Sequence, residues 1–127
     1  MKHKKIVPQI SLAEKASLLS GKDFWTAKGI DRLDIPALKL SDGPYGIRCQ
    51  EEEFDHLGLH AGAPATCFPT SATIANSWDE NLAKKTAARL GKEAISKEVD
   101  VILGPGLNIK RSPLCGRNFE YFSEDPY

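Results

Sequence analysis

Val99-Asp100-Val101-Ile102-Leu103-Gly104-Pro105-Gly106 is the stretch on which the fold turns. β-Branched and aliphatic residues run up to a glycine-proline-glycine turn, which predicts a strand over Val99–Leu103 with a loop at its carboxyl end. Just upstream, Ser77 and Glu80 have capping-box spacing. Leu82, Thr86, Leu90 and Ala94 then mark one face of a helix from about Trp78 to Lys97. Further back, Pro36 bars helix, and Ala37–Leu40 reads as another short strand, ending at the turn Ser41-Asp42-Gly43-Pro44. Ser71–Ala75 reads as a strand between the two. The predicted order is strand, loop, strand, helix, strand, loop. Short aliphatic strands with glycine-marked polar segments at their carboxyl ends indicate parallel α/β architecture, in which ligands sit beyond those ends.

Before this unit, Ser11 and Glu14 form a second capping-box pattern, and Leu12, Ala16 and Leu19 predict a helix over Leu12–Ser20 that Gly21 stops. From Arg48 to Pro69 the sequence turns polar and rich in Gly, Ala and Pro, with acidic Glu51-Glu52-Glu53 and two histidines, His56 and His60. That stretch reads as a long excursion loop. The two histidines stand on a glycine-marked loop rather than a helix, so no metal site is expected there. Trp25, Trp78 and Phe68 read most simply as core or helix-edge packing, although a tryptophan beside a site could stack on a sugar face.

The chain has 127 residues, 41% of them hydrophobic and 27% charged, enough for one globular domain with a core. Seventeen basic residues balance seventeen acidic ones. No long-range field recruits nucleic acid or an anionic membrane. The apolar runs are far shorter than the roughly 20 residues that span a bilayer. Ile6-Val7, interrupted by Pro8, makes no signal-peptide core. Cys49, Cys67 and Cys115 are odd in number and lack paired short spacing, which argues against a disulfide framework or a zinc knuckle and for a reducing cytoplasm.

Gly116-Arg117-Asn118-Phe119-Glu120-Tyr121-Phe122-Ser123-Glu124-Asp125-Pro126-Tyr127 carries chemistry that a surface turn does not need. Glycine admits backbone close to a ligand, arginine presents a planar fork of donors, and carboxylates hold that fork or accept hydroxyl protons. The stretch reads as part of a polar-ligand site. Taken alone, Asp42 reads first as a turn residue and Arg48 as a solvated charge. Glu120, Glu124 and Asp125 are not expected to be an acid and base pair; Glu124 and Asp125 read as caps of a following helix or as holders of Arg117.

Together three segments resemble the amino-terminal barrel domain of glycoside hydrolase family 3, the β-glucosidase group. Ser41-Asp42-Gly43-Pro44-Tyr45-Gly46-Ile47-Arg48 is similar to its first substrate-binding loop, and Leu103-Gly104-Pro105-Gly106-Leu107-Asn108-Ile109-Lys110-Arg111 to its third. Gly116-Arg117-Asn118-Phe119-Glu120 with Ser123-Glu124-Asp125-Pro126 completes the match, which runs from about Ser11 to Tyr127. The resemblance implies a portion of a (β/α)8 TIM-like barrel over residues 1–127. It further implies a retaining hydrolase of terminal, non-reducing β-D-glucosyl residues, with a β-glucoside or oligosaccharide as small-molecule partner and no metal or organic cofactor. Asp42, Arg48 and Arg117 would border the subsite of the non-reducing sugar. Xylosidases and arabinofuranosidases share the resemblance, so the glycoside stays open.

By the same resemblance, the nucleophilic aspartate belongs to a later strand and the acid/base glutamate to a following domain, and a Lys-His pair that the family carries after the third-strand region is missing. No catalytic residue is therefore assigned. A full barrel of this kind takes about 250 residues and eight strands, against three strands legible here. The expectation is a partial domain that grips a sugar without cleaving it, either as a piece of an enzyme or as a binding or partner-dependent remnant.

Overall fold

The computed structural model describes residues 3–49 and 62–125, so His56, His60 and the acidic run Glu51–Glu53 lie outside the described residues. In chain order the regular elements are α1 (Leu12–Ser17), β1 (Leu40–Ser41), α2 (Ser71–Asn76), α3 (Glu80–Ser96) and β2 (Val101–Ile102), with 3-10 turns at Val7–Gln9, Asp31–Leu33 and Asn118–Glu120. β1 and β2 pair in parallel, Leu40 opposite Val101 and Ser41 opposite Ile102. Flanking bonds extend the pairing. Lys39 N–H donates to the Asp100 carboxylate at 2.8 Å, Asp100 N–H and Val101 N–H donate to Lys39 O, and Leu103 N–H donates to Ser41 O at 2.8 Å.

The capping box predicted at α1 is complete. Ser11 Oγ accepts from Glu14 N–H, and the Glu14 carboxylate accepts from Ser11 N–H at 2.8 Å. α1 ends at Ser17 rather than Ser20 because the next amides bond three residues back, Leu19 to Ala16 and Ser20 to Ser17, and so tighten the last turn.

Ser71–Ala75 is helical, not a strand, which leaves two strands where three were predicted. A short apolar run carries no period that separates strand from buried helix. Here the Thr70 side chain decides, accepting from Thr73 N–H at 3.3 Å as a helix N-cap. The predicted Ser77–Glu80 box is likewise absent. Ser77 closes α2, Trp78 takes a left-handed φ of 51°, and Asp79 caps α3 by accepting from Asn81 N–H at 2.9 Å and Leu82 N–H at 3.1 Å.

α3 covers the strand pair only with its carboxyl-terminal half. Ala94 is buried with Ile47, Cys49, Ala63 and Val99, while Leu90 and Ile102 pack against that cluster. Leu82, at the other end of the predicted face, is 43% exposed. The helix turns into β2 through Glu98, whose φ is 56°, with Val99 N–H donating back to Ala94 O at 2.9 Å. The segment after residue 61 is strapped to the same end of α3. Thr66 N–H donates to Glu93 Oε1 and Lys97 Nζ to Pro64 O, both at 2.7 Å. No helix among the described residues is long and apolar enough to cross a membrane.

The cap assignment is testable by urea unfolding. Asp79→Ala is expected to cost about 1 kcal/mol, the usual worth of an N-cap. Ser77→Ala, which removes a hydroxyl that donates to Ile74 O and accepts from Asp79 N–H but does not cap α3, should cost less than Asp79→Ala. The reverse order would restore the box predicted from sequence.

Candidate functional site

The loop after β1 is a closed turn. Arg48 N–H donates to Asp42 O at 3.0 Å, pairing the two residues across the turn, and Gly46 N–H donates to Gly43 O at 3.2 Å. Gly43 and Gly46 have φ of 115° and 151°. A Cβ on Gly43 would overlap Gly46 O, and one on Gly46 would overlap Thr66 O. Only glycine permits this approach, and Phe68 N–H, donating to Tyr45 O at 2.6 Å, fixes the turn against the strapped segment. Beneath it Ser41, at 1% exposure, donates its hydroxyl to Asp42 O at 3.0 Å. The Cys49 thiol, also buried, donates to Ser41 Oγ at 3.7 Å.

The loop after β2 reaches the terminal motif through a parallel bridge between Gly106 and Tyr121. A Cβ on Gly106 would stand 2.7 Å from Glu120 O and 2.8 Å from Tyr121 Cδ1, so glycine is what lets the two segments meet. Tyr45 then ties the first loop to the terminal motif, its hydroxyl donating to Phe119 O at 2.6 Å. The two rings tilt at 52° with centroids 6.1 Å apart.

These three segments surround one cleft of about 520 Å³. Asp42 and Arg48 enter it from the first loop, Asn108 from the second, and Arg117, Glu120 and Tyr121 from the terminal motif. The three residues singled out from sequence therefore share a single cavity. Asp42 is half-buried and Arg48 exposed.

The Arg117 guanidinium is gripped by Glu120, Nε to Oε1 at 2.7 Å and a terminal nitrogen to Oε2 at 2.6 Å. This bidentate fork fixes the plane of the group while its side chain stays 70% exposed. The grip lowers the Glu120 carboxyl below its usual 4.5 and raises Arg117 above its usual range, with Asp42 adding a smaller attraction to the arginine. The sequence reading looked to Glu124 and Asp125 to hold Arg117; Glu120 does so. An acid three residues beyond an arginine was the available signal. Tyr45, whose hydroxyl joins the first loop to the terminal motif, carried no comparable signal.

Sequence also assigned Trp78 to packing, whereas it is 94% exposed. Among the described residues no group of three or more His, Cys, Asp or Glu side chains gathers as a metal site would require.

The model of the glycosyl hydrolase family 3 N-terminal domain matches residues 44–127. The chain is 54% identical over 124 residues to thermostable beta-glucosidase B of Acetivibrio thermocellus, covering 98% of this chain and 16% of that protein. It is 46% identical over 122 residues to an exo-alpha-(1->6)-L-arabinopyranosidase of Bifidobacterium longum, again spanning 16% of the relative. Among solved structures, the beta-glucosidase of Kluyveromyces marxianus in complex with glucose superposes with a TM-score of 0.83 at 45% identity, over 98% of this chain and 14% of that one. Beta-glucosidase 3B of Thermotoga neapolitana in complex with glucose gives 0.79 at 34% identity, over 99% and 19%. The described α/β unit corresponds to a part of the TIM-barrel domain of those enzymes, with β1 and β2 paired in parallel. The chain belongs to glycosyl hydrolase family 3, within its N-terminal domain.

Proposed function

We propose that the protein serves hydrolysis of terminal, non-reducing β-D-glucosyl residues by a retaining route, and that this chain contributes one wall of the subsite for the glucosyl unit. The observation that carries the reading is the meeting of Asp42, Arg48 and Arg117 in one cleft, on loops that follow adjacent parallel strands. A pyranose is neutral and presents vicinal hydroxyls. A carboxylate accepts from two of them at once, and a guanidinium fixed in its plane donates to their oxygens. Arg48 and Arg117 beside Asp42 and Glu120 give the cleft both kinds of partner without the excess positive charge that a phosphate site would carry. The two family relatives solved with glucose support the choice of sugar. The arabinopyranosidase among the relatives makes a pentopyranose the natural competitor.

Retaining hydrolysis needs two carboxyl groups about 5 Å apart, one as nucleophile and one as acid and base. The carboxylates lining the described cleft are Asp42 and Glu120, and Glu120 is committed to Arg117. The chain by itself therefore binds sugar without turning it over, in keeping with a binding wall whose chemistry is supplied by other residues of the family's catalytic domain. A reducing compartment belongs to the same reading, since Cys67 and Cys115 are exposed thiols.

Calorimetric titration with D-glucose tests the binding. Asp42→Ala is expected to weaken it about 10-fold or more, the worth of a hydrogen bond to a charged group. An unchanged affinity, or a preference for L-arabinose, would overturn the assignment. Incubation with an aryl β-glucoside should give no hydrolysis. Turnover that disappears in Asp42→Ala would contradict the separation of binding from chemistry.

The Arg117 clamp has its own pH signature. Because Glu120 is lowered in the folded chain, its pairing contributes fully above pH 4.5 and is lost as the pH falls through the lowered value. The Glu120 carboxyl carbon, followed by NMR, should titrate below 4.5 and move up toward it in Arg117→Ala. A midpoint at or above 4.5 in the unsubstituted chain would mean that the clamp does not form in solution.

A further inference from the structure

The Arg117–Glu120 clamp is local. Its two residues stand three apart at one 3-10 turn, so it fixes the guanidinium relative to that turn and not the distance of the turn from Asp42. Two further ties hold the turn to the segment that follows β2: the Gly106–Tyr121 bridge, and the Asn118 side-chain amide, which donates to Ser112 O at 2.8 Å. Neither reaches the first loop, which carries Asp42 and Arg48.

Tyr45 makes the tie to the first loop. Its backbone is held by Phe68 N–H, which donates to Tyr45 O at 2.6 Å, and its hydroxyl donates to Phe119 O, also at 2.6 Å. Phe119 is the middle residue of the turn. The turn's own bonds, from Glu120 N–H and Tyr121 N–H, use Arg117 O and Asn118 O, so the Phe119 carbonyl is available to a donor from outside. A bond to that carbonyl therefore places Arg117, two residues before it, together with Glu120, the residue after. The Tyr45 and Phe119 rings, with centroids 6.1 Å apart, would pack as well if position 45 were phenylalanine. What tyrosine adds is the hydroxyl.

We infer that Tyr45 is a positioning residue of the cleft: through its bond to Phe119 O it sets the separation of Arg117 from Asp42, and thereby the strength with which the pair grips a sugar. The grip on sugar rests on the function proposed above, whereas the separation of the two side chains does not. A sugar hydroxyl shared between a carboxylate and a guanidinium tolerates little error, because a working site holds its groups within about 0.5 Å of their productive places. Arg117 needs support from outside its own turn, since its side chain is 70% exposed and packing does not confine it. Asp42 adds to the field at the guanidinium, as a carboxylate held near it does.

Two experiments test this, both with Tyr45→Phe, which removes the hydroxyl and keeps the ring. The first uses NMR of the 15N-labelled chain without sugar. Asp42→Asn is expected to move the Arg117 Nε–H resonance in the unsubstituted chain, and to move it less in Tyr45→Phe, because the field of the carboxylate falls as the two side chains separate. No displacement in the unsubstituted chain, or an equal one in both, would overturn the positioning. The second is calorimetric titration with D-glucose. Tyr45→Phe is expected to weaken binding about 5-fold, the worth of one neutral hydrogen bond. Made in Arg117→Ala, the same change should cost less than about 2-fold, since residues that act through one another are not additive. Equal losses in the two backgrounds would mean that Tyr45 bonds the sugar itself, and would contradict its action through Arg117. Displaced α3 amide resonances in Tyr45→Phe would make the hydroxyl a general folding contact and overturn its role in the cleft. Glucose that fails to bind, with the Arg117 displacement still dependent on Tyr45, would defeat the proposed function and leave the positioning of Arg117 standing.

Discussion

Two parallel residue pairs, Leu40 with Val101 and Ser41 with Ile102, determine where every functional group of this chain lies. Parallel strands point the same way, so the segments that follow them leave the sheet at the same edge. The loop carrying Asp42 and Arg48 and the loop carrying Asn108 are therefore neighbours in space although far apart in sequence. The register is set by more than the two pairs, because Lys39 and Asp100, 61 residues apart, exchange hydrogen bonds just before them. A slip of one residue would turn buried Ser41 outward and move Asp42 toward the opposite face of the sheet.

Once the two loops are adjacent, close backbone contact completes the site. Gly46 against Thr66 shapes the first loop, and Gly106 against Tyr121 brings the terminal motif beside the second. Tyr45 closes the ring by donating to Phe119 O. The charges gathered in this way are arranged as pairs: Glu120 fixes the orientation of the planar Arg117 guanidinium by accepting from Nε and one terminal nitrogen along one edge, and Asp42 adds to the field at the guanidinium. Such a cleft suits a neutral ligand with many hydroxyls.

Sequence revealed the parts of this arrangement that are local. The Ser11–Glu14 box, the body of α3 and the strand signal ending at Gly104 follow from short-range patterns and are present, whereas the turn predicted at Ser41-Asp42-Gly43-Pro44 falls later, with Ser41 inside β1 and Gly46 N–H closing the turn on Gly43 O. Resemblance to the family then gathered Asp42, Arg48 and Arg117 into one expected site, and they share one cavity. What escaped depends on context. Ser71–Asn76 is too short for its period to speak, and the Thr70 cap that makes it helical competes with an apolar, β-branched composition. The Ser77–Glu80 spacing was defeated by the left-handed Trp78 between them, a backbone state that propensity assigns to smaller residues. The exposure of Leu82 follows from α3 covering the strands with only its carboxyl-terminal half, which no pattern within the helix discloses.

The most direct measurement is the amide spectrum of the 15N-labelled chain titrated with D-glucose. If β1 and β2 align the loops as described, saturable shifts with one common affinity should gather in three separated segments at once: Asp42–Arg48, Leu103–Asn108 and Arg117–Tyr121. Shifts confined to one segment, or three segments responding with different affinities, would contradict the single shared cleft.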